Sequence, residues 1–143
     1  MQNEQAAPET LDSTLGIELL EYGDGMVRGR VPVTDRVKQA FGLVHGGVYA
    51  ALAEGLCSLG TYFAVYQDGL IATGQQNDTN FLRPITQGTV HTECRARHRG
   101  RTSWVWDVDH TDDHGRLCAV SRVTIAVRPA RPGTSAIAPG IGS

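Results

Sequence analysis

One long apolar segment near the middle of the chain limits the folds that this sequence can adopt. Residues 46–66 are rich in Ala, Leu, Val and aromatic side chains, and the turn signal Gln67-Asp68-Gly69 follows them. Their length predicts a helix that is apolar all round, with Glu54 as its only charged side chain. Such a helix has to be buried in a protein core or embedded in a membrane.

A membrane span is the competing interpretation of this segment, because about 20 apolar residues suffice to cross a bilayer. A glutamate near the middle of a lone span is costly, and no basic flank marks an orientation for residues 46–66. We therefore predict a helix buried in a protein core and no membrane partner.

The rest of the chain carries the period-2 patterns of β-strands. Apolar and polar residues alternate through residues 15–33 on both sides of Gly23-Asp24-Gly25, which predicts a hairpin with a tight turn. After the helix come four stretches rich in β-branched and aromatic residues, separated by short polar breaks, as expected for an antiparallel meander. These stretches are residues 70–82, 89–98, 102–111 and 116–127.

The order of hairpin, long helix and run of strands predicts an α+β fold, in which a curved antiparallel β-sheet wraps around one long central helix. Residues 12–129 form a single domain in this interpretation. Residues 1–11 and 130–143 are predicted to be flexible tails, because their composition cannot bury enough apolar surface to offset the entropy of ordering them.

The composition excludes several functional classes. A net charge of -2 provides no cationic surface for nucleic acid. The first residues lack the basic and apolar regions of a secretory signal, so we expect a cytoplasmic protein. The histidines form no metal-binding spacing, which predicts no metal site. Without a CxxC pair, the three cysteines are expected to be reduced, mostly buried thiols: Cys57, Cys94 and Cys118.

Glu54 is the first candidate for chemistry. Burying an ionised carboxylate without a partner costs several kcal/mol, so either an arginine from a neighbouring strand or subunit pairs with it or the carboxylate has a function. Because Gly46, Ala50, Glu54 and Ser58 recur at every fourth position, they lie along one stripe of the helix. Glu54 and Ser58 can then face the same cavity.

The segment His45-Gly46-Gly47 stands where the helix should begin. Free N–H groups at a helix N-terminus, together with the helix dipole, attract anions or a polarised carbonyl oxygen. Gln39, in the preceding loop, is a candidate second donor, although a simple glycine turn and a solvated glutamine are the alternatives. Donors of this kind beside a carboxylate suit acyl transfer, including thioester hydrolysis, without a metal.

Two further groups of residues have open interpretations. Arg101, Arg128 and Arg131 lie at a strand turn and at the end of the last strand, where they either contact the phosphates of an anionic ligand or are solvated. Large aromatic side chains either line an aromatic pocket or fill the core: Tyr49, Tyr62 and Trp104.

The pattern Gly42-Leu43-Val44-His45-Gly46-Gly47, followed by Ala51-Leu52-Ala53-Glu54, resembles the hotdog-fold acyl-CoA thioesterase superfamily. It is similar in particular to the 4-hydroxybenzoyl-CoA thioesterase branch with a catalytic Glu on the central helix, and to phenylacetyl-CoA-type thioesterases. The resemblance covers residues 15–129 and includes Gly74-Gln75 and Phe81-Leu82-Arg83-Pro84.

The resemblance implies hydrolysis of an aryl-CoA thioester to the free acid and CoA. It implies Glu54 as nucleophile or general base, with the Gly46 amide and Gln39 polarising the thioester carbonyl. Ser58 would steer the attacking water, and it stands where that branch is expected to carry Thr. CoA is part of the substrate, so no separate cofactor is expected. Residues implied near CoA are Arg83, Arg101, Thr102, Arg128 and Arg131.

The resemblance also implies homodimers whose sheets join edge to edge, usually paired into tetramers, with each active site between subunits. Two other functions remain open from the sequence. One is a hotdog-fold hydratase or dehydratase with His45 and Glu54 as an acid-base pair. The other is an acyl-CoA binding module without turnover, for which a buried Glu54 would be a needless cost.

Overall fold

A six-stranded antiparallel sheet and one long helix make up most of the computed structural model, which describes residues 8–134. This architecture confirms the predicted α+β class. The elements in chain order are α1 (Leu11–Leu15), β1 (Glu18–Gly23), β2 (Met26–Pro32), α2 (Gly46–Val65), β3 (Leu70–Phe81), β4 (Thr89–Arg99), β5 (Ser103–Thr111) and β6 (Leu117–Pro129).

The inner face of the sheet packs against α2. Every second residue of β5 points inward, so that Trp104, Trp106 and Val108 are buried. Gly60 allows a close approach of the helix, because a Cβ atom there would lie 2.4 Å from Cγ2 of Val27. The core therefore lies between one face of α2 and the concave side of the sheet.

The strand order is β1-β2-β4-β5-β6-β3. The hairpin of β1 and β2 is confirmed, but the predicted meander is wrong for β3. This strand pairs with β6 along its whole length, from Leu70↔Pro129 to Phe81↔Ala119, and forms the second edge of the sheet. The strand that pairs with the second edge of β2 is β4 and not β3. Alternation identifies a strand, but its neighbours are chosen by tertiary packing.

A short N-terminal helix was not predicted. Thr10 caps α1 through a capping box with Ser13, and Gly16 ends it with a φ of 77°. Asp12 lies against α2, where a Cβ atom on Gly55 would be 3.2 Å from its carboxylate, and burial raises the pKa of Asp12. Helix α1 begins inside the predicted tail 1–11. The predicted tails otherwise fall mainly on residues 1–7 and 135–143, outside the described residues.

Helix α2 is a core helix, but it is not buried on all sides. Leu52 and Leu56 face the sheet and are fully buried, whereas Glu54 and Ala64 are exposed in the single chain. With the turn that follows it, the helix is long and apolar enough to cross a membrane by length and composition alone. Its packing against the sheet accounts for that composition, and the predicted burial on every side is wrong for this chain.

His110 is the largest polar side chain that is fully buried. Its Nδ1 lies 2.8 Å from the hydroxyl of Thr92, and its Nε2 lies 3.1 Å from the hydroxyl of Ser121. The ring of Tyr49 meets it edge-on. Burial lowers the pKa of His110 from its ordinary value of 6.5 to about 4.

We expect His110 to make the protein less stable in mild acid. Between pH 6.5 and 4 the unfolded chain binds a proton at this histidine that the folded chain does not bind, so the free energy of unfolding falls as the pH falls. The loss from pH 7 to pH 4 is about 3 kcal/mol, since a tenfold change in a protonation equilibrium is worth about 1.4 kcal/mol.

Urea unfolding at several pH values measures this effect. The slope of stability against pH should flatten in His110→Asn and persist in His98→Asn, which changes an exposed histidine. A slope in His110→Asn equal to that of the unchanged protein would contradict the assignment.

Candidate active site

The start of α2 is built by His45. This residue is the N-cap, and its Nδ1 accepts a hydrogen bond of 2.8 Å from the Gly47 N–H. Its carbonyl oxygen accepts a second bond, of 2.9 Å, from the Val48 N–H. Within this chain the imidazole ring therefore serves as a helix cap.

The Gly46 N–H points out of the helix without an acceptor in the described residues 8–134. It borders a groove of about 550 Å³. Gln39 borders the same groove, and its Oε1 accepts a hydrogen bond from the Phe41 N–H, which leaves its NH₂ group able to donate. The two donors predicted from sequence thus face one groove, lined by Gln39, Leu43, Val44, Gly46, Tyr49, Phe81, Leu82, Arg83 and Pro84.

Phe81 forms a wall of this groove that the residue patterns alone did not assign a role. A Cβ atom on Gly46 would lie 2.8 Å from Cζ of the Phe81 ring, so a larger residue there would displace the ring. The centroid of the Tyr49 ring lies 6.0 Å from that of Phe81. Tyr49 is buried and also borders the groove, so both interpretations of this residue hold, whereas Trp104 belongs to the core.

Glu54 lies two turns further along α2, on the same stripe as Gly46 and Ser58. Its carboxylate rests against β3, where a Cβ atom on Gly74 would be 2.7 Å from Cδ and Oε1. The pairing of β3 with β6 shifts register between Gly74 and Gln76, a bulge of the kind found beside active sites. The sequence signal for this contact is the Gly74-Gln75 pair.

The predicted burial of Glu54 is wrong for the single chain, in which the residue is exposed. The alternative that an arginine neutralises it is not realised either within residues 8–134, where no ion pair includes Glu54. The reason is topological, since Glu54 lies above β3, and β3 is an edge strand with no neighbour on its outer side.

The arginines predicted near CoA separate into two places. Arg83 borders the groove at the Gly46 end of the sheet. Arg128 lies at the other end, where its Nη1 donates to the carbonyl oxygens of Thr102 at 2.6 Å and Val127 at 2.8 Å. Arg101 and Arg131 are exposed near that same end. One chain therefore brings only Arg83 to the groove.

The cysteines are free and buried, as predicted, and none of them lines the groove, although the carbonyl oxygen of Cys118 accepts hydrogen bonds from the N–H groups of Leu82 and Arg83 at its wall. Burial raises the pKa of the Cys57 thiol well above its ordinary value, and the neighbouring Cys94 thiol raises it further. A thiol of this kind is a poor nucleophile. The groove therefore presents the Gly46 and Gln39 amides, and the Glu54 carboxylate lies two turns further along α2.

Residues 41–119, which include the helix cap, Glu54, the β3 bulge and Phe81, match the family model described as Thioesterase superfamily. The chain belongs to this superfamily. A proofreading thioesterase, EntH, from Cronobacter turicensis is 40% identical over 118 residues, which cover 82% of this chain and 85% of that protein. The family match and this relative show that the present chain is a thioesterase, an enzyme that hydrolyses thioesters.

Solved structures agree with the fold. Thioesterase HI1161 from Haemophilus influenzae is 36% identical, with a TM-score of 0.78 and coverage of 82% of each chain. A mutant of thioesterase PA1618 from Pseudomonas aeruginosa is 35% identical, with a TM-score of 0.81 and coverage of 85% of this chain and 87% of that one. The predicted hotdog fold of this thioesterase is confirmed.

The contact between Gly74 and Glu54 yields a test. Gly74→Ala should displace the carboxylate while leaving the fold intact, because the clashing atoms are the far end of a flexible side chain. We expect the rate of acyl-CoA hydrolysis to fall at least about tenfold, since small misplacements of reacting groups cost up to about 10²-fold.

Steady-state rates and thermal unfolding should be measured together, with Thr73→Ala as the matched control. Thr73 is the adjacent residue of β3 and points to the opposite face of the strand. A full hydrolysis rate in Gly74→Ala would contradict the placement of the carboxylate.

Proposed function

We propose that this thioesterase hydrolyses an acyl-CoA thioester with an aromatic acyl group, of the 4-hydroxybenzoyl-CoA or phenylacetyl-CoA type, to the free acid and CoA. One observation carries the proposal. The unpaired Gly46 N–H and the Gln39 amide face one groove, and the Glu54 carboxylate follows on the same helix. A cytoplasmic location stays a prediction.

The groove supplies stabilisation for developing charge. When the thioester carbonyl is attacked, its oxygen becomes negatively charged, and the Gly46 N–H at the positive end of the α2 dipole can donate to it. Gln39 can donate from the facing loop. Losing one donor of this kind typically costs about 10²–10³-fold in rate.

In this proposal Glu54 drives the attack on the thioester carbonyl carbon. As a general base it takes a proton from water, which then adds to the carbonyl carbon, and as a nucleophile it forms a mixed anhydride that water opens. In both routes the thiolate of CoA leaves as the carbonyl re-forms. Ser58 lies one helical turn further on, and in this proposal its hydroxyl holds the attacking water. A single turnover in ¹⁸O-labelled water tests the anhydride route, because label enters the Glu54 carboxylate only when water opens an anhydride at the Glu54 carbonyl carbon.

The residues that wall the groove support the proposal of an aromatic acyl group. Phe81 and Tyr49 present aromatic faces beside Gly46, and Leu43 and Leu82 add apolar surface. Flat aromatic groups pack well against such rings. In the hydratase alternative His45 is the acid-base residue, and because its Nδ1 accepts from the Gly47 N–H, its Nε2 would have to transfer the proton.

A homodimer would complete the site. The outer edge of β3 has no partner strand among residues 8–134, and pairing two β3 strands antiparallel would satisfy both edges and cover Glu54. The Leu70 end of one β3 would then lie beside the Phe81 end of the other. The candidate CoA residues of the second chain, which lie at the Leu70 end, would thereby approach the groove: Arg101, Thr102, Arg128 and Arg131.

Release of free CoA from a panel of aryl-CoA and alkyl-CoA thioesters tests the reaction. We expect Glu54→Ala and Glu54→Gln to lose at least about 10²-fold in kcat, as for a group that acts in proton transfer. Asp68→Ala, which removes an exposed carboxylate after the other end of the helix, is the matched control and should keep full activity. A preference for alkyl-CoA would overturn the aromatic assignment, and full activity in Glu54→Ala would overturn the role of Glu54.

Multi-angle light scattering tests the proposed assembly. We expect a mass of two or four chains, because an unpaired β3 edge and an exposed active-site carboxylate leave the site of one chain incomplete. A species with the mass of one chain and full specific activity would contradict an active site between subunits.

A further inference from the structure

A chain of hydrogen bonds crosses the inner side of the sheet and ends on α2. From the sheet outward, Thr92 meets His110 at 2.8 Å, and His110 meets Ser121 at 3.1 Å. Ser121 meets Thr79 at 2.8 Å, and Thr79 donates to Oδ1 of Asn77 at 2.8 Å. Asn77 then donates from Nδ2 to the carbonyl oxygen of Ala50 at 2.9 Å.

Counting protons fixes the direction of the first bonds, starting from the helix. Asn77 donates to the Ala50 carbonyl, so its Oδ1 is free to accept, and Thr79 spends its only hydroxyl proton there. The bond between Thr79 and Ser121 must therefore be donated by Ser121.

The same count continues through the histidine. Ser121 has no proton left, so Nε2 of His110 must donate to it. A neutral imidazole with its proton on Nε2 then accepts at Nδ1 from the Thr92 hydroxyl. Because burial lowers the pKa of His110 to about 4, the ring is neutral at physiological pH, and every member of the chain is satisfied.

The row of hydrogen bonds ends at one particular backbone group, the carbonyl oxygen of Ala50. In an α-helix the carbonyl of residue 50 accepts a hydrogen bond from the N–H of residue 54. The Asn77 side chain therefore donates to the same carbonyl oxygen that accepts the hydrogen bond from the Glu54 N–H. The same strand carries Gly74, against which the Glu54 carboxylate rests. Strand β3 thus holds this turn of α2 at one backbone point and one side-chain point.

We infer that Asn77 is a positioning residue for Glu54, an inference that rests on the proposed function. Apolar packing between α2 and β3 would resist separation but would allow the helix to slide or rotate. A directional hydrogen bond fixes both motions. Its donor is held in place because Thr79, itself bonded to Ser121, donates to the oxygen of the same amide.

The test compares the two ends of the hydrogen-bonded chain. Asn77→Ala removes the contact with Ala50, and Thr92→Val removes the bond furthest from the helix while keeping the shape of the side chain. With 4-hydroxybenzoyl-CoA as substrate, we expect Asn77→Ala to lower kcat by about 10- to 10²-fold and to change KM less than about threefold. Thr92→Val should lower the melting temperature but keep kcat within about twofold.

Two further variants sharpen the result. Asn77→Asp keeps the shape of the side chain but, when ionised, cannot donate to the Ala50 carbonyl, so it should lose kcat as Asn77→Ala does. It also provides a second chance to test the position if the alanine variant does not fold. In a Glu54→Ala background, Asn77→Ala should add less than about a twofold loss, because positioning a missing carboxylate has no effect.

The outcomes separate the inference from the proposed function. If Glu54→Ala keeps full activity, the proposed function fails and the inference fails with it. If Glu54→Ala is inactive while folded Asn77→Ala and Asn77→Asp keep full kcat, only the inference is overturned. An equal loss of kcat in Thr92→Val and Asn77→Ala would show general loosening of the fold and would also overturn it.

Discussion

The packing of α2 on the concave face of the sheet is the interaction on which the rest of the structure depends. Leu52 and Leu56 are fully buried against strands, and Gly60 brings the helix axis close to Val27. Fully burying a Leu side chain contributes about 1.5–3 kcal/mol relative to exposure. These contacts run along the helix and hold α2 against the sheet.

Polar groups around this core fall into two kinds. His110 is buried and uses both ring nitrogens in hydrogen bonds, as a structural polar group in a low-dielectric interior must. The Gly46 N–H and the Glu54 carboxylate lie at the surface of one chain and have no hydrogen bond or ion pair, respectively, with the described residues 8–134. Groups left available beside a groove can bind a substrate, whereas His110 cannot.

Much of the fold could be predicted because its signals are periodic. The long helix was predicted at residues 46–66 and runs from Gly46 to Val65, and the strands after it lie within a few residues of their predicted positions. Helix α1 was missed because five polar-rich residues carry no period, although Thr10 and Ser13 form a capping box. The place of β3 beside β6 was missed because alternation along one strand does not specify its partner.

The sequence by itself determined which groups share one face of α2, since a 3.6-residue period puts Gly46, Glu54 and Ser58 on one stripe in any fold that keeps the helix. It also supplied the glycines that close approach requires, at positions 46 and 74. Only the tertiary structure decided that Glu54 is exposed above an edge strand, that Asn77 reaches the Ala50 carbonyl, and that Arg83 lies apart from Arg128. These facts depend on contacts between residues distant in sequence, which the order of the strands creates and no local pattern encodes.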